Sequence, residues 1–203
     1  MTDFLFELGK TPPLSGDGLA SFYFLRHGRT EHNLLSICQG SRDIPLDEVG
    51  REQARNVRDL LATLPIERVV VSPLDRAHET ARLATKDTGV AITPDARLRE
   101  RGFGTFEGEK APSGLWEEDL PTAETRTDFA QRVADGVSAN CAADGTLIVA
   151  HGGVLRAIAS LLRAPLSLEH LENACPLLIE RRGGDWIVEI ISSFPTTAQE
   201  TAP

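Results

Sequence analysis

Three apolar stretches of the sequence each end in residues that are suited to binding an anion. Arg26 and His27 follow the stretch FYFL, Arg76 ends the segment PLDR after VVVS, and His151 follows TLIVA. Guanidinium groups match phosphate oxygens in bidentate hydrogen bonds. A neutral imidazole is a competent nucleophile toward phosphorus when its other ring nitrogen is held by a hydrogen bond. These residue types therefore predict a site that holds a phosphate group and attacks it.

His27 and His151 are both followed by glycine, and they are suited to different tasks. Gly28 allows the backbone beside His27 to approach a ligand closely. His151 can donate a hydrogen bond to the same phosphate, because a bound dianion between two arginines would raise its pKa and keep it charged. Gly152 and Gly153 begin the next expected helix, where free N–H groups also favour an anion.

Phosphoryl transfer also needs a proton for the leaving oxygen. The segment ARLRERGFGTFEG contains two candidate acids, Glu100 and Glu107. A nearby phosphate would raise the pKa of either carboxyl group, as a general acid requires. Spacing alone does not choose between the two glutamates, and each could equally be an ordinary solvated residue.

The composition is that of an acidic, single-domain chain. Its 203 residues are 41% hydrophobic, enough for one well-buried core, and the formal net charge is -9. An acidic surface repels nucleic acid and anionic membranes, so neither is expected as a partner. The three cysteines, Cys38, Cys141 and Cys175, are widely separated and predict neither a disulfide framework nor a zinc site. Because the N-terminus is a poor signal peptide, a cytoplasmic location is expected.

Apolar stretches alternate with helical patterns along the chain. Strands are expected at 21–25, 67–72, 146–150, 176–182 and 185–190. The last two are joined by a Gly-Gly hairpin signal. Helices are expected at 46–64 with Asp47 as N-cap, at 73–89 closed by Gly89, at 128–142 and at 152–162.

This alternation predicts an α/β three-layer sandwich, with a mainly parallel central sheet and helices on both faces. Ligands bind beyond the carboxyl ends of such strands, where the candidate cations and histidines fall. The chain is expected to form one domain over residues 1–203. A Pro/Gly-rich lead-in at 1–20 and a polar tail at 195–203 flank it.

Five segments give the chain a resemblance to the histidine phosphatase superfamily, also called the phosphoglycerate mutase-like family. They are LRHGRTEHN, QGSRDIPLDEVGREQA, VVVSPLDRAHETA, LRERGFGTFEG and LIVAHGGVLRA, in the family's order and spanning roughly residues 21–160. Together these motifs are highly specific, whereas RHG alone would not be. The chain is most similar to the phosphatase branch of this family.

The resemblance implies a role for each candidate residue. His27 would be the phosphorylated nucleophile, and Arg26, Arg76 and His151 would form the phosphate pocket. Glu100 matches the proton donor of the family. The resemblance also implies that the chemistry needs no metal and no other cofactor.

Asn33 matches a family position near the phosphate, and about residues 101–127 match the substrate cap. The cap is short and more acidic than basic. An acidic cap should disfavour a bisphosphate substrate, although Arg29 and Arg42 could partly compensate. Hydrolysis is therefore favoured over mutase chemistry. Trp116 in the cap could stack on an organic leaving group or could only pack locally.

Three functions follow from these residues. A phosphomonoesterase is favoured over a mutase and over a non-catalytic phosphate-binding module, because a module that only binds needs no acid. The expected substrate is a small phosphorylated metabolite, with a phosphoprotein as the alternative. A monomer and a homodimer are equally compatible with the sequence.

Overall fold

A six-stranded sheet forms the centre of the fold. The computed structural model describes Leu14 and residues 18–192, so the expected tail and most of the expected lead-in lie outside the described residues. The strands are β1 (Phe22–Arg26), β2 (Arg68–Val71), β3 (Ile92–Pro94), β4 (Thr146–Ala150), β5 (Pro176–Arg182) and β6 (Asp185–Ile190). Their order across the sheet is β3-β2-β4-β1-β5-β6. The first four strands in that order run parallel, and β5 pairs antiparallel with both β1 and β6.

The α-helices lie in the connections between the strands. They are α1 (Glu31–Leu34), α2 (Glu48–Asn56), α3 (Arg58–Thr63), α4 (Asp75–Ala84), α5 (Arg126–Asn140) and α6 (Gly152–Leu162). Within residues 18–192, none of these helices combines the length and the apolar character needed to cross a membrane.

Alternation along the strands gives the sheet two apolar faces. Phe24 of β1 points to one face and packs in a core with Phe129 and other residues of α5 and α6. Its neighbour Leu25 points to the other face and packs with Leu61 of α3 and Ala81 of α4. Helices therefore cover both faces of a mainly parallel sheet, and the predicted three-layer sandwich is confirmed.

The strand register places the candidate residues at one edge of the sheet. Arg26 at the end of β1 lies opposite Ala150 at the end of β4. The His27 N–H donates to the Ala150 carbonyl at 2.9 Å, and the Ser72 N–H donates to the Val149 carbonyl at 3.0 Å. The residues that follow β1, β2 and β4 thus meet at their shared carboxyl ends.

The predicted helix over 46–64 is divided in two. Val57, with a ψ of -3°, separates α2 from α3. The predicted start of this helix, with Asp47 as N-cap, is confirmed: the Asp47 side chain accepts a hydrogen bond from the Gly50 N–H at 2.7 Å.

The helix predicted over 73–89 is shorter than expected. It ends at Ala84, because the N–H and the hydroxyl of Thr88 both turn back to the Thr85 carbonyl, at 3.1 Å and 2.8 Å. These bonds form a separate turn in place of a further helical turn, and Gly89 lies after it with a φ of +71°. Closure of the helix at Gly89 was therefore a wrong prediction.

Strand β3 was not predicted from the sequence. It has only three residues, Ile92–Pro94, and pairs in parallel with β2 at the edge of the sheet. A proline is tolerated at such an edge because one side of the strand makes no ladder hydrogen bonds. So short and polar a strand carries no period-two pattern that the sequence could reveal.

The segment between Glu100 and α5 forms a loop with a small apolar cluster of its own. Cys38, Phe103 and Leu115 form the buried part of this cluster, separate from the two cores beside the sheet. Within the segment the only regular element is a 3₁₀ turn over Gly104–Phe106. The cap predicted over about residues 101–127 ends at residue 125 in the structure, because α5 begins at Arg126, and we keep the name cap for residues 101–125.

Arg101, which begins the cap, is fully buried and holds the cap together. Its guanidinium donates to the carbonyls of Glu124 at 2.8 Å, Leu115 at 3.2 Å and Glu118 at 3.1 Å. It also pairs with the Asp119 carboxylate at 3.2 Å. One side chain thus closes a loop that has almost no regular secondary structure.

Candidate active site

His27 lies at the carboxyl end of β1, and its ring is held in one orientation. Its Nδ1 lies 2.7 Å from the carbonyl oxygen of Gly28. Because a carbonyl can only accept, Nδ1 carries the hydrogen and Nε2 keeps its lone pair. The side chain is almost fully buried, with 2% of its surface exposed.

Burial also keeps the His27 ring uncharged. Desolvation, followed by the nearby charges of Arg76 and Arg26, holds the pKa of His27 well below its usual value. The imidazole is therefore neutral at neutral pH. A neutral ring with a free Nε2 lone pair is the form that can attack phosphorus.

Arg26 and Arg76 are fixed by backbone carbonyls from different loops. Arg76 is fully buried and donates to the carbonyls of Arg42 at 2.7 Å and Gly40 at 2.9 Å. Burial lowers the pKa of Arg76 to about 10, so its guanidinium remains charged at neutral pH. Arg26 donates to the carbonyl of Leu171. Because their hydrogen bonds within the described residues go to uncharged carbonyl groups, both positive charges remain available to an anion.

His151 lies beside His27, with ring centroids 5.2 Å apart. Its Nε2 is 2.7 Å from the Ser72 hydroxyl oxygen, which accepts from the Leu74 N–H at 3.3 Å. If the hydroxyl donates to Nε2, the neutral ring carries its hydrogen on Nδ1. Burial and Arg76 lower the pKa of His151 well below its usual value. The charged form expected from the sequence therefore requires a bound anion.

Three buried nitrogen atoms in this cluster have no hydrogen-bond partner among the described residues: Arg26 Nε, Arg76 Nε and His151 Nδ1. Buried donors are rarely left unpaired, because each one forfeits its hydrogen bonds to water. An oxyanion placed among the three residues would supply acceptors. The arrangement thus favours a ligand with several negative oxygens.

Glu100 is buried at the same site, with 9% of its surface exposed. One carboxylate oxygen accepts from the Arg101 N–H and the other from the Gly153 N–H, both at 3.0 Å. Burial raises the pKa of Glu100 more strongly than these hydrogen bonds and the nearby arginines lower it. A raised pKa is the property that a general acid needs.

The first amide groups of α6 were expected to bind an anion directly, but the Gly153 amide binds Glu100 instead. The Gly153 N–H binds the Glu100 carboxylate, so this amide is not free for an incoming anion. A Cβ at Gly153 would lie 2.2 Å from Glu100 Oε1 and 2.5 Å from Trp116 Cη2, so only glycine fits there. Gly152 packs beside the Arg26 guanidinium. A Cβ placed on Gly152 would lie 3.4 Å from Arg26 Nε.

Glu107, the other candidate acid, is engaged in binding backbone and hydroxyl groups. It accepts from the Ser41 N–H at 2.9 Å, the Ser41 hydroxyl at 3.0 Å and the Phe103 N–H at 2.9 Å. It does not line the cavity beside His27, whereas Glu100 does. The geometry therefore separates two glutamates that the sequence left equivalent.

Asn33 lines the cavity but also caps helix α1. Its Oδ1 accepts from the Thr30 N–H at 3.1 Å, which leaves the NH₂ group as its donor toward a ligand. A neighbouring residue that the sequence did not indicate, Asn173, donates to the His27 carbonyl at 2.9 Å. Asn173 lies in a loop without a recognisable pattern, so no sequence signal marks it.

Ser72 and Thr80 also support the site and were not singled out from the sequence. The Gly28 N–H donates to the Thr80 hydroxyl at 2.9 Å, and that hydroxyl donates to the Arg76 carbonyl at 2.6 Å. These bonds fix the turn after His27 to helix α4. Both residues fall within the motif VVVSPLDRAHETA, which was the available signal.

A cavity of about 170 Å³ opens from these residues to the surface. Arg26, His27, Arg76 and Glu100 line its inner end, and residues of α1, of the loop at 36–40 and of the cap line the remainder. The structure thus brings the candidate nucleophile, both arginines and the acid to one cavity, with His151 packed against the nucleophile.

Comparison with known proteins identifies the family of the chain. The family model of the histidine phosphatase superfamily, branch 1, matches residues 22–193. The uncharacterized phosphatase PhoE of Bacillus subtilis is 31% identical over 174 residues, covering 81% of this chain and 90% of that protein. A mycobacterial glucosyl-3-phosphoglycerate phosphatase in complex with VO3 has a TM-score of 0.72 at 28% identity, covering 86% of this chain and 99% of that one.

An agropine synthesis reductase of Rhizobium rhizogenes is 38% identical over 192 residues, covering 90% of this chain. The match covers only 44% of that protein, so the chain spans less than half the length of this relative.

The fold is that of the phosphoglycerate mutase-like proteins, with a six-stranded sheet between two helical layers. The chain belongs to the histidine phosphatase superfamily, branch 1.

Proposed function

We propose that the protein is a metal-independent phosphomonoester hydrolase that works through a phosphohistidine intermediate on His27. The observation that carries this proposal is the state of the His27 ring. It is buried and neutral, its Nδ1 is tied to the Gly28 carbonyl at 2.7 Å, and two guanidinium groups lie close by. The phosphatases named among its relatives support hydrolysis as the reaction.

In the first step the Nε2 lone pair of His27 attacks the phosphorus atom. The bond between phosphorus and the ester oxygen breaks, and protonated Glu100 gives its proton to that oxygen, so an alcohol leaves. Arg26 and Arg76 neutralise the phosphoryl oxygens during the transfer. These guanidinium groups supply positive charge of the kind that a metal ion supplies in other phosphoryl-transfer sites.

In the second step Glu100, now a carboxylate, takes a proton from water. The water oxygen attacks the phosphorus, the bond between phosphorus and Nε2 breaks, inorganic phosphate is released and neutral His27 is restored.

His151, Asn33 and Gly152 are assigned to the phosphate pocket. Burial, followed by Arg76, lowers the pKa of His151 in the free protein, and a bound dianion would raise it again, so we expect His151 to become charged when phosphate binds.

Two further observations favour hydrolysis over a mutase. Arg29, which could have bound a second anionic group, donates to the Asp47 carboxylate at 2.8 Å. Arg42 lies 3.9 Å from Glu107 and does not line the cavity. Among the described residues that line the cavity, a bisphosphate would therefore meet the guanidinium groups of Arg26 and Arg76 and no other. A non-catalytic binding module would have no use for a buried acid such as Glu100.

We further propose a small phosphorylated metabolite as substrate, and a cytoplasmic location. The three thiols are free, and burial raises the pKa of Cys38 to about 11 and that of Cys141 to about 12. Thiols held in the protonated form are slow to form disulfides. This behaviour suits a reducing compartment.

The test is the initial rate of p-nitrophenyl phosphate hydrolysis in excess EDTA, from acidic to neutral pH. We expect a clear rate in the native protein and none in His27→Ala. His78→Ala, at an exposed position on α4, is the matched control and should retain the rate. A native rate that survives in His27→Ala, or that disappears with EDTA, would contradict the proposal.

A further inference from the structure

We propose that the substrate's leaving group is an uncharged alcohol with several hydroxyl groups, a sugar or polyol, and that His32 recognises it. The inference rests on the hydrolase function proposed above and adds the class of substrate. Four features of the cavity carry it: an imidazole without a hydrogen-bond partner among the described residues, several neutral polar groups, an apolar wall, and an outer lining in which the described residues include no lysine or arginine.

His32 is half-buried and lines the cavity beyond Asn33. Its imidazole makes no hydrogen bond with any residue of the described part of the chain, and its Nδ1 is buried without a partner. A half-buried ring with no partner among the described residues is poorly satisfied unless a ligand or water binds it. Either ring nitrogen can bind a hydroxyl group of a ligand, because a hydroxyl both donates and accepts.

Neutral polar groups near His32 in the chain also line the cavity. Gln39 and Ser36 line it with His32. The Gln39 Oε1 accepts from the Thr30 hydroxyl at 3.0 Å, so its NH₂ group remains as a donor. Hydroxyl groups of a ligand can both donate and accept, which suits a mixed row of imidazole, hydroxyl and amide.

The cap contributes apolar residues to the lining of the cavity. Phe103, Leu115 and Trp116 line it, and the Phe103 and Trp116 rings meet edge to face with centroids 5.1 Å apart. The Arg156 guanidinium stacks 5.7 Å from the Trp116 centroid and supports the indole from behind. An apolar wall facing a few placed polar groups is the usual form of a small-molecule site. A sugar can present its carbon-bound hydrogens to the apolar residues and its hydroxyl groups to the neutral polar groups.

The described residues that line the outer part of the cavity include no lysine or arginine for a second anion. The guanidinium groups in the lining are those of Arg26 and Arg76, both at the inner end. Lys110 does not line the cavity, and it donates to the Leu35 carbonyl. A carboxylate on the leaving group would thus be desolvated without a counter-charge, beside an acidic cap. The cavity therefore disfavours phosphoglycerates relative to uncharged alcohols.

The sharpest test compares two substrates that differ in one group. Glycerol 3-phosphate and 3-phosphoglycerate release alcohols that differ by a hydroxymethyl group in place of a carboxylate. We expect kcat/KM at neutral pH to be at least about tenfold higher for glycerol 3-phosphate, because a buried unpaired charge is rejected strongly. Equal values, or a preference for 3-phosphoglycerate, would overturn the inference.

His32→Phe tests the named residue, since it removes both ring nitrogens and keeps a planar ring. We expect kcat/KM for ribose 5-phosphate, divided by that for p-nitrophenyl phosphate, to fall about tenfold, because only the sugar offers hydroxyls to His32. His78→Phe, on the exposed face of α4, should leave the ratio unchanged. An unchanged ratio in His32→Phe would refute the role of His32.

Failure of this inference is distinguishable from failure of the proposed function. An active native enzyme with no preference between the two glycerol-derived substrates refutes only the leaving-group inference. If the native protein hydrolyses nothing, calorimetric binding of the same two compounds to the native protein still decides the preference. Tighter binding of 3-phosphoglycerate would then overturn the inference without turnover.

Discussion

Replacing Glu100 with glutamine tests the acid role most directly. Glu100 accepts one hydrogen bond from the Arg101 N–H and one from the Gly153 N–H, each at 3.0 Å. Glutamine has the same shape but only one acceptor oxygen, so its NH₂ group faces a backbone donor. We expect a loss of stability of about 1–3 kcal/mol, and no proton to give to the leaving oxygen.

The two kinds of substrate should respond differently to Glu100→Gln. An alkyl leaving group needs its proton, and removing a general acid costs about 10²–10⁴ in rate. That loss corresponds to about 3–5 kcal/mol of transition-state stabilisation. p-Nitrophenolate is a stable anion and leaves without a proton, so its rate should fall much less. The rate for glycerol 3-phosphate in the native enzyme should also decline as pH rises through the raised pKa of Glu100. That decline should be absent in the variant.

The assay is kcat and kcat/KM for glycerol 3-phosphate and p-nitrophenyl phosphate across pH. Glu109→Gln, at an exposed position in the cap, is the matched control. Equal fold-losses on both substrates would refute the reasoning. A selective loss in Glu107→Gln would also refute the reasoning. The Glu107→Gln substitution should instead lower thermal stability, because it weakens the hydrogen bond from the Ser41 N–H.

Three further predictions follow from the same contacts. Gly153→Ala should lose about 1–3 kcal/mol of stability and most alkyl-phosphate turnover, because its Cβ would lie 2.2 Å from Glu100 Oε1. Unfolding in denaturant and steady-state kinetics measure the two effects, and native values for both would contradict the packing. Arg101→Met should destabilise the protein by more than about 2 kcal/mol, because three cap carbonyls lose a buried donor; a thermal midpoint equal to that of the native protein would argue against it. His27 and His151 have pKa values well below the ordinary 6.5 in the folded protein. As pH falls below 6.5, the unfolded chain therefore binds more protons than the folded protein, and stability is lost. The thermal midpoint should therefore drop between neutral pH and about pH 5, and a flat profile would show that these rings are not held neutral.

Much of the fold was predictable because its signals are local. The strands over 176–182 and 185–190 match their predicted bounds, and Gly183 and Gly184 take the positive φ values of 65° and 102° that a tight hairpin requires. Strand β3 was missed because its three residues are stabilised by pairing with β2, which no local pattern encodes.

The site was partly predictable for the same reason. Residues that directly follow β1 and β4 are placed by the parallel register, so the sequence order alone brings His27 and His151 together. The choice between Glu100 and Glu107 could not be made, because it depends on which carboxylate the Ser41 and Gly153 amides bind. Those contacts join segments that lie far apart in the chain.

The cap has its own small apolar cluster and is closed by the buried Arg101, while the two main cores lie beside the sheet. Trp116 of the cap also packs against the core formed with α5 and α6, so substitutions of cap residues other than Trp116 should disturb the packing of the sandwich least. Under selection, such a loop can acquire new specificities while the free energy of folding is set elsewhere. The same division recommends the cap as the segment to randomise in directed evolution, with Arg101 held constant.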